Sequence, residues 1–345
     1  MFRNILILYS EFMPYNLTVW AAMRREGKLD IHIVYWNHKK LTPYQYDGVE
    51  YKFYKRSEFT TESLVELYAA VSPSTLFVSG RMDSGYLAVA KMAKRKGIPV
   101  VMGSDKQWKG SLKDWCAVLL RNVLYRPYFS HAWVPGKRQV EYARHVGFST
   151  QHIIQGLYIG DTELFCRQKE SIPASKRDLL FVGRLEAIKG LIPLIDCLQN
   201  LRISGDFKGR LLIFGNGSLY DAIPDREWIL KKGFVSQQEI KEGISSCSIF
   251  CLPSIEEPWG VVVQEMASAG LLICCSSAVG AGDHFVKHLE NGYVFKTSRW
   301  DDLKDGLKYL LNLDKEAVQK GRELSYRLAK QMNAADSARF FLDIR

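Results

Sequence analysis

Short apolar runs and amphipathic stretches alternate along this chain in two successive series, and that alternation limits the folds open to it. NILILY (4–9), DIHIVYW (30–36), TLFVS (75–79), IPVVM (98–102) and HAWV (131–134) read as strands, with helical spacing near 17–26, 61–71, 84–96, 109–126 and 137–146. The second series has strands DLLFVG (178–183), RLLIFG (210–215), SIFCLP (248–253) and LLICC (271–275), with YVF (293–295) at an edge. Its helices fall at 189–202, 237–245, 260–269, 301–312 and 315–330. Continuously apolar strands are buried on both faces, and helices between them act as right-handed crossovers joining parallel neighbours. The pattern predicts an α/β chain of two Rossmann-like, doubly wound domains facing each other. The carboxyl ends of their strands would line an interdomain cleft.

The two series are separated by CRQKESIPASKRD (166–178), which is polar, contains Pro173 and has no periodicity; it reads as a linker. The expected division is an acceptor-binding domain over 1–165 and a donor-binding domain over 166–330, with a helix in 331–345 packing back toward the first. A length of 345 residues suits two domains, and 47% hydrophobic residues supply two cores. Residues 1–165 carry 22 basic against 14 acidic side chains, the remainder 25 against 23. A basic first half points to an anionic partner: a membrane surface, a phosphorylated substrate or nucleic acid. The seven cysteines lack CxxC spacing and several lie in apolar runs, which reads as buried free thiols and excludes a disulfide frame or zinc site. No secretory signal and no spanning run of about 18 apolar residues is visible. The expected location is cytoplasmic, with peripheral contact at the inner face of the membrane.

Two motifs of the second series carry chemistry. In FVGRLEAIKG (181–190) the strand turns at Gly183, and Arg184 and Lys189 follow, placed to grip a diphosphate as a planar fork and a point charge. In SIEEPWGVVVQEMASAG (254–270) Glu257 precedes a helix and Glu265 falls inside it, in an otherwise buried stretch. Ionised carboxylates accept hydrogen bonds only, which suits vicinal hydroxyls. Helix N-terminal amides at Gly260 and Val261, after Trp259, can hold phosphate or a sugar hydroxyl. No D-x-D occurs, so a metal-held diphosphate lacks its usual ligand pair, and no metal is expected.

EPWGVVVQEMASAG resembles the E-x7-E signature of the family 4 retaining glycosyltransferases, which have the GT-B fold, and FVGRLEAIKG resembles that family's diphosphate loop. LLIFGNGSL (211–219), KKGFVSQQEI (231–240), SIFCLPS (248–254) and SSAVGAGDHFVKHLENGYVF (276–295) follow in the family's order. The resemblance spans 178–296 and reaches the first half only as architecture. It implies that Arg184 and Lys189 neutralise the departing diphosphate, Glu257 holds hydroxyls of the transferred sugar, and Glu265 binds the ribose diol. Gly215, with the backbone at Gly233, Phe234 and Val235, would take the nucleotide, and Gly280 to Gly282 would turn near phosphates and sugar. The implied reaction is retaining and metal-independent: a sugar moves from a UDP- or GDP-linked donor to a saccharide or lipid-linked acceptor, building a polysaccharide such as a lipopolysaccharide, or a glycolipid. The nucleotide-sugar is a co-substrate, and no cofactor is implied. The chain departs from the family in lacking a Gly-rich turn after the first strand (SEFMPYN, 10–16), and in having Gly103-Ser104-Asp105 where a His is frequent.

On the acceptor side, strand-end position selects Tyr15 and Asn16 (after Pro14), Arg81 and Asp83, and Ser104 and Asp105. For Arg81 and Asp83 the competing reading is a salt-bridged turn and helix cap. Over 109–129, Leu112, Trp115, Cys116, Leu119, Leu120, Val123 and Leu124 recur at helical spacing among Lys109, Lys113, Arg121 and Arg126. Periodicity favours a core-facing helix; the alternative is one on an anionic bilayer, with Trp115 and Tyr125 at the interface. His131, His145 and His284 lack ligand spacing and read as structural. The rival functions are another GT-B-like enzyme, such as a nucleotide-sugar epimerase or glycosidic phosphorylase, a basic nucleic-acid-binding protein, and a catalytically dead sugar-binding module. No aromatic-basic reader motif supports nucleic-acid binding, which is not expected.

Overall fold

The structure is a computed structural model that describes residues 3–10, 14–27, 29–37, 51–166 and 177–344. The expected linker lies mostly outside the described residues, as do residues 11–13 of the turn after the first strand. The chain forms two compact units, Met1–Ile159 with Asn333–Arg345, and Gly160–Met332.

Among the described residues the first unit holds seven strands: β1 Arg3–Tyr9, β2 Leu29–Tyr35, β3 Lys52–Lys55, β4 Thr75–Val78, β5 Val100–Gly103, β6 His131–Val134 and β7 Ile153–Gln155. All pair in parallel, in the order β3-β2-β1-β4-β5-β6-β7. The central runs Ile5–Tyr9 and Thr75–Val78 are fully buried, as their lack of alternation requires. One face of the sheet is covered by the helices Thr61–Val71, Ser84–Arg95 and Lys137–His145, which contribute Leu64, Tyr86 and Tyr142 to the core. The other face is sealed by aromatic rings: Trp20 lies edge-on to Phe77, Trp133 and Phe341. Phe341 belongs to the closing helix Ala334–Leu342, so the end of the chain is part of the first unit's core.

The second unit holds β8 Asp178–Val182, β9 Leu211–Phe214, β10 Ile229–Lys231, β11 Cys247–Leu252, β12 Leu272–Ser276 and β13 Gly292–Phe295, in the order β10-β9-β8-β11-β12-β13. All its ladders are parallel. Strands β3, β7 and β10, absent from the sequence reading, are edge strands of three or four residues. An edge strand is partnered on one side only and needs no long apolar run. In each unit strand order reverses once, between β1 and β4 and between β8 and β11, and the crevice at such a switch point is where open α/β sheets bind ligands.

Two expectations are corrected. The helix expected over 109–126 is two helices, Leu112–Leu119 and Arg121–Leu124, and its apolar face is not in the core. Leu112, Trp115, Leu119, Leu120 and Val123 are exposed, whereas Asp114 and Ala117 are buried, and Tyr125, expected at a membrane interface, is buried too. The polar side turns inward because Asp114 is the anchor. Its carboxylate accepts from the backbone N–H groups of Lys109 and Ser111 and from the Ser111 hydroxyl, and pairs with Lys106 at 3.1 Å. Burial alone would raise the Asp114 pKa, but the hydrogen bonds from Ser111 and Lys106 outweigh it and bring it down to about 2. The second correction concerns thiols: five cysteines are buried as expected, but Cys116 is exposed and Cys166 half-buried.

Candidate active site

In the second unit the switch point brings the loop after β8 against the loop after β11. Gly190 has φ +70°, and a Cβ there would collide with the carbonyl oxygen of Pro253, so the two loops approach more closely than any side chain allows. One backbone hydrogen bond, from the Ile255 N–H to the Ile188 carbonyl at 2.7 Å, staples them. Lys189 lies between these two contacts, on a short 3-10 turn, and is buried. Its ammonium donates to Glu257 Oε2 in a close ion pair whose side chains are 11% and 13% exposed. Arg184, on the same loop, is exposed. Its charge acts on Glu186, whose pKa is lowered by hydrogen bonds from Ser218 first and by Arg184 last. The structure therefore joins Lys189 to Glu257 and leaves Arg184 in solvent.

Around this pair the backbone is tightly laced. Glu257 forms a parallel bridge with Val279, the Gly280 N–H donates to the Glu257 carbonyl at 3.2 Å, and the Ala281 N–H donates to the Trp259 carbonyl at 2.9 Å. The small-residue turn at Gly280 to Gly282 is thus fastened to the loop that carries Glu257. Trp259 is buried with its ring against His284 and Phe285, a packing position. Gly260 has φ +90° and opens the helix Val261–Ser268 with no side-chain cap; within the first turn the Val263 N–H donates to the Gly260 carbonyl at 3.0 Å. The ends of β8, β9 and β10 are also linked through backbone. The Gly183 N–H donates to the Phe214 carbonyl at 3.0 Å, and the Gly215 N–H to the Gly233 carbonyl at 2.7 Å. Gly215 sits at φ +146°, where a Cβ would collide with the Gly183 carbonyl oxygen. Beyond them Phe234 is exposed and Val235 half-buried.

Glu265 is buried on the helix Val261–Ser268, and Gln237 Nε2 donates to its Oε1 at 3.4 Å. Burial, and next the charge of Asp161, push its pKa up to about 7, against weaker lowering by hydrogen bonds from the Asp161 backbone and Gln237. Beside it Gln264, which the sequence reading did not single out, is fully engaged. Its Oε1 accepts from the Gly160 N–H at 2.9 Å, and its Nε2 donates to the carbonyls of Ala329 and Met332.

In the first unit, three of the acceptor-side candidates converge. Asn16 is buried and donates to Tyr9 Oη at 3.0 Å, and Tyr15 meets Tyr158 edge-on at 5.4 Å. The Tyr158 hydroxyl is held well above its usual pKa by burial first, and then by Tyr9, Asp105 and Tyr15. Asp105 thus belongs to this cluster, and Tyr158, its hub, lies about 140 positions from Tyr15 in a segment with no motif to mark it. Asp83 is committed elsewhere: it caps the helix Ser84–Arg95, accepts from Trp36 Nε1 at 3.0 Å and pairs with Arg56 at 2.8 Å. Arg81 lies over the Tyr125 ring at 4.6 Å, and Ser104 is half-buried and accepts from the Lys106 N–H at 3.3 Å. His131 bonds Ser130, and burial and then His152 depress its pKa to about 4.

Residues 164–325, wholly within the second unit, match the family described as Glycosyl transferases group 1. An uncharacterized glycosyltransferase of Methanocaldococcus jannaschii is 29% identical over 153 residues, which are 42% of this chain and 38% of that protein. The alignments to curated relatives cover only about two fifths of the relatives' own length. Among solved structures, a glycosyltransferase from Rickettsia africae superposes with a TM-score of 0.76 at 11% identity, covering 99% of this chain and 97% of that one. The Anabaena protein HepE, solved in complex with UDP and glucose, gives 0.73 at 14% identity over 99% and 98%. At these identities the structural likeness shows the fold, which is GT-B.

Proposed function

We propose that this protein is a retaining, metal-independent glycosyltransferase. It would move a sugar from a UDP- or GDP-linked donor to a saccharide or lipid-linked acceptor in polysaccharide or glycolipid biosynthesis. The observation that carries the proposal is the Lys189–Glu257 pair at the switch point of the second unit. Cleavage of a glycosyl–phosphate bond develops negative charge on the diphosphate and positive charge on the sugar. A buried ammonium beside a carboxylate is suited to both: Lys189 meets the leaving diphosphate while Glu257 accepts hydrogen bonds from the sugar hydroxyls. Exposed Arg184 adds a second cation that is free to swing onto the diphosphate. The uncapped amides at Gly260 and Val261 complete the anion site. Glu265 receives the ribose diol once ionised, and the linked backbone of Gly183, Gly215 and Gly233 flanks the nucleotide. The first unit supplies the acceptor contacts, with the Tyr15, Asn16, Asp105 and Tyr158 cluster as the leading group.

Lys189→Ala and Glu257→Ala are each expected to lower transfer by about tenfold to a thousandfold, the scale of one lost transition-state contact. Near-wild-type turnover in both would refute the assignment. Thermal shifts with UDP, GDP, ADP and their sugars identify the donor. Transfer that persists in EDTA, with an NMR-assigned product of unchanged anomeric configuration, tests metal independence and retention. Conversion of the nucleotide-sugar without acceptor would favour an epimerase instead.

A further inference from the structure

We infer that the two helices Leu112–Leu119 and Arg121–Leu124 dock the first unit onto an anionic lipid bilayer. This goes beyond the donor chemistry and does not depend on it. The observation is an inverted helix. At 100° per residue, Leu112, Trp115, Cys116, Leu119, Leu120 and Val123 share one face, and every one of them is exposed, Leu112 at 85% and Leu119 at 79%. The opposite face carries Asp114, Ala117, Val118, Arg121 and Leu124, all buried or half-buried. A water-facing helix that hides its carboxylate and shows its leucines is stable only because Asp114 is saturated by Ser111, Lys109 and Lys106. Of the twelve large apolar side chains exposed among the described residues, five fall between Leu112 and Val123. A contiguous apolar surface of this kind marks an interaction site.

Charge chooses the occupant. Exposed Lys109, Lys113 and Arg126 frame the apolar face. The patch continues through Trp108, whose ring meets Trp115 at 5.4 Å and stacks on His145 at 3.8 Å. His145 in turn lines an open groove with Lys137 and Arg144, where Glu141 is the carboxylate. Leucines and a tryptophan ringed by lysines and arginines match a bilayer whose acyl boundary lies about 5–10 Å below anionic headgroups. An apolar protein groove would leave the basic rim unmatched.

The test is co-sedimentation of the full chain with vesicles of equal phosphatidylglycerol and phosphatidylcholine, against phosphatidylcholine alone. The wild type is expected to partition onto the anionic vesicles. Trp115→Glu with Leu119→Glu should cut that partitioning at least about tenfold, and Lys113→Glu with Arg126→Glu should remove the preference for anionic lipid. These positions are exposed, so an unchanged Tm and an unchanged nucleotide thermal shift serve as controls for folding and for the donor site. No anionic binding by the wild type, or binding indifferent to the helix substitutions, overturns the inference. So does a helix variant that abolishes self-association in sedimentation equilibrium while leaving vesicle binding intact, since a second copy is then the occupant. Vesicle binding without any nucleotide shift in the wild type would sink the transferase reading and leave this one standing.

Discussion

Removing one member of the Lys189–Glu257 pair should destabilise the second unit, and removing both should restore most of the loss. The magnitude follows from burial. An exposed pair contributes about 0–1 kcal/mol, whereas deleting one partner of a fully buried pair costs about 3–5 kcal/mol. With side chains only 11% and 13% exposed, this pair lies near the buried limit but keeps some solvent. Lys189→Met should therefore cost about 2–3 kcal/mol by leaving the Glu257 carboxylate uncompensated, and Glu257→Leu a similar amount. The double variant should lose less than either single one, giving a coupling of about 2 kcal/mol in the cycle. Urea denaturation read by hydrogen exchange at β8, β11 and β12 isolates the second unit from the first. The same double variant should still fail to transfer sugar, because apolar side chains restore packing but not charge. A coupling below about 0.5 kcal/mol would show two independent, solvated groups and would falsify the geometry on which the site is built.

Three further outcomes are expected. Glu265 binds its proton more tightly folded than unfolded, so the native state holds more protons between pH 4.5 and pH 7 and stability falls across that window as pH rises, by up to about 3 kcal/mol. Glu265→Gln should flatten that slope in pH-dependent denaturation; an unchanged slope would show that Glu265 titrates normally. Gly215→Ala should cost about 2–4 kcal/mol, because its Cβ meets the Gly183 carbonyl and its φ is unfavourable to any side chain; a Tm within a degree of wild type would contradict the close approach. Gln264→Ala strands the Gly160 N–H and the Ala329 and Met332 carbonyls, and should cost about 3 kcal/mol by denaturant titration, with nucleotide affinity nearly unchanged if Gln264 serves only to brace that region.

What the sequence determined by itself is local. Continuous apolar runs such as NILILY and TLFV alternating with amphipathic stretches read as strands buried on both faces, so the parallel sheets were legible, and Gly183 and Gly260 marked the loops where chemistry could sit. The short edge strands β3, β7 and β10 carry no such run and left no signal. What only the tertiary structure decided is which distant groups meet. Lys189 and Glu257 are 68 positions apart and touch because the Ile188–Ile255 hydrogen bond and the Gly190–Pro253 approach leave their loops no other spacing. Tyr158 joins Tyr15 and Asp105 for the same reason, through packing that no motif encodes. The helix at Leu112 is the sharpest case. Periodicity gives the angle between its apolar and polar faces but not which of them turns inward, and the hydrogen bonds gathered by one buried carboxylate, Asp114, decided that.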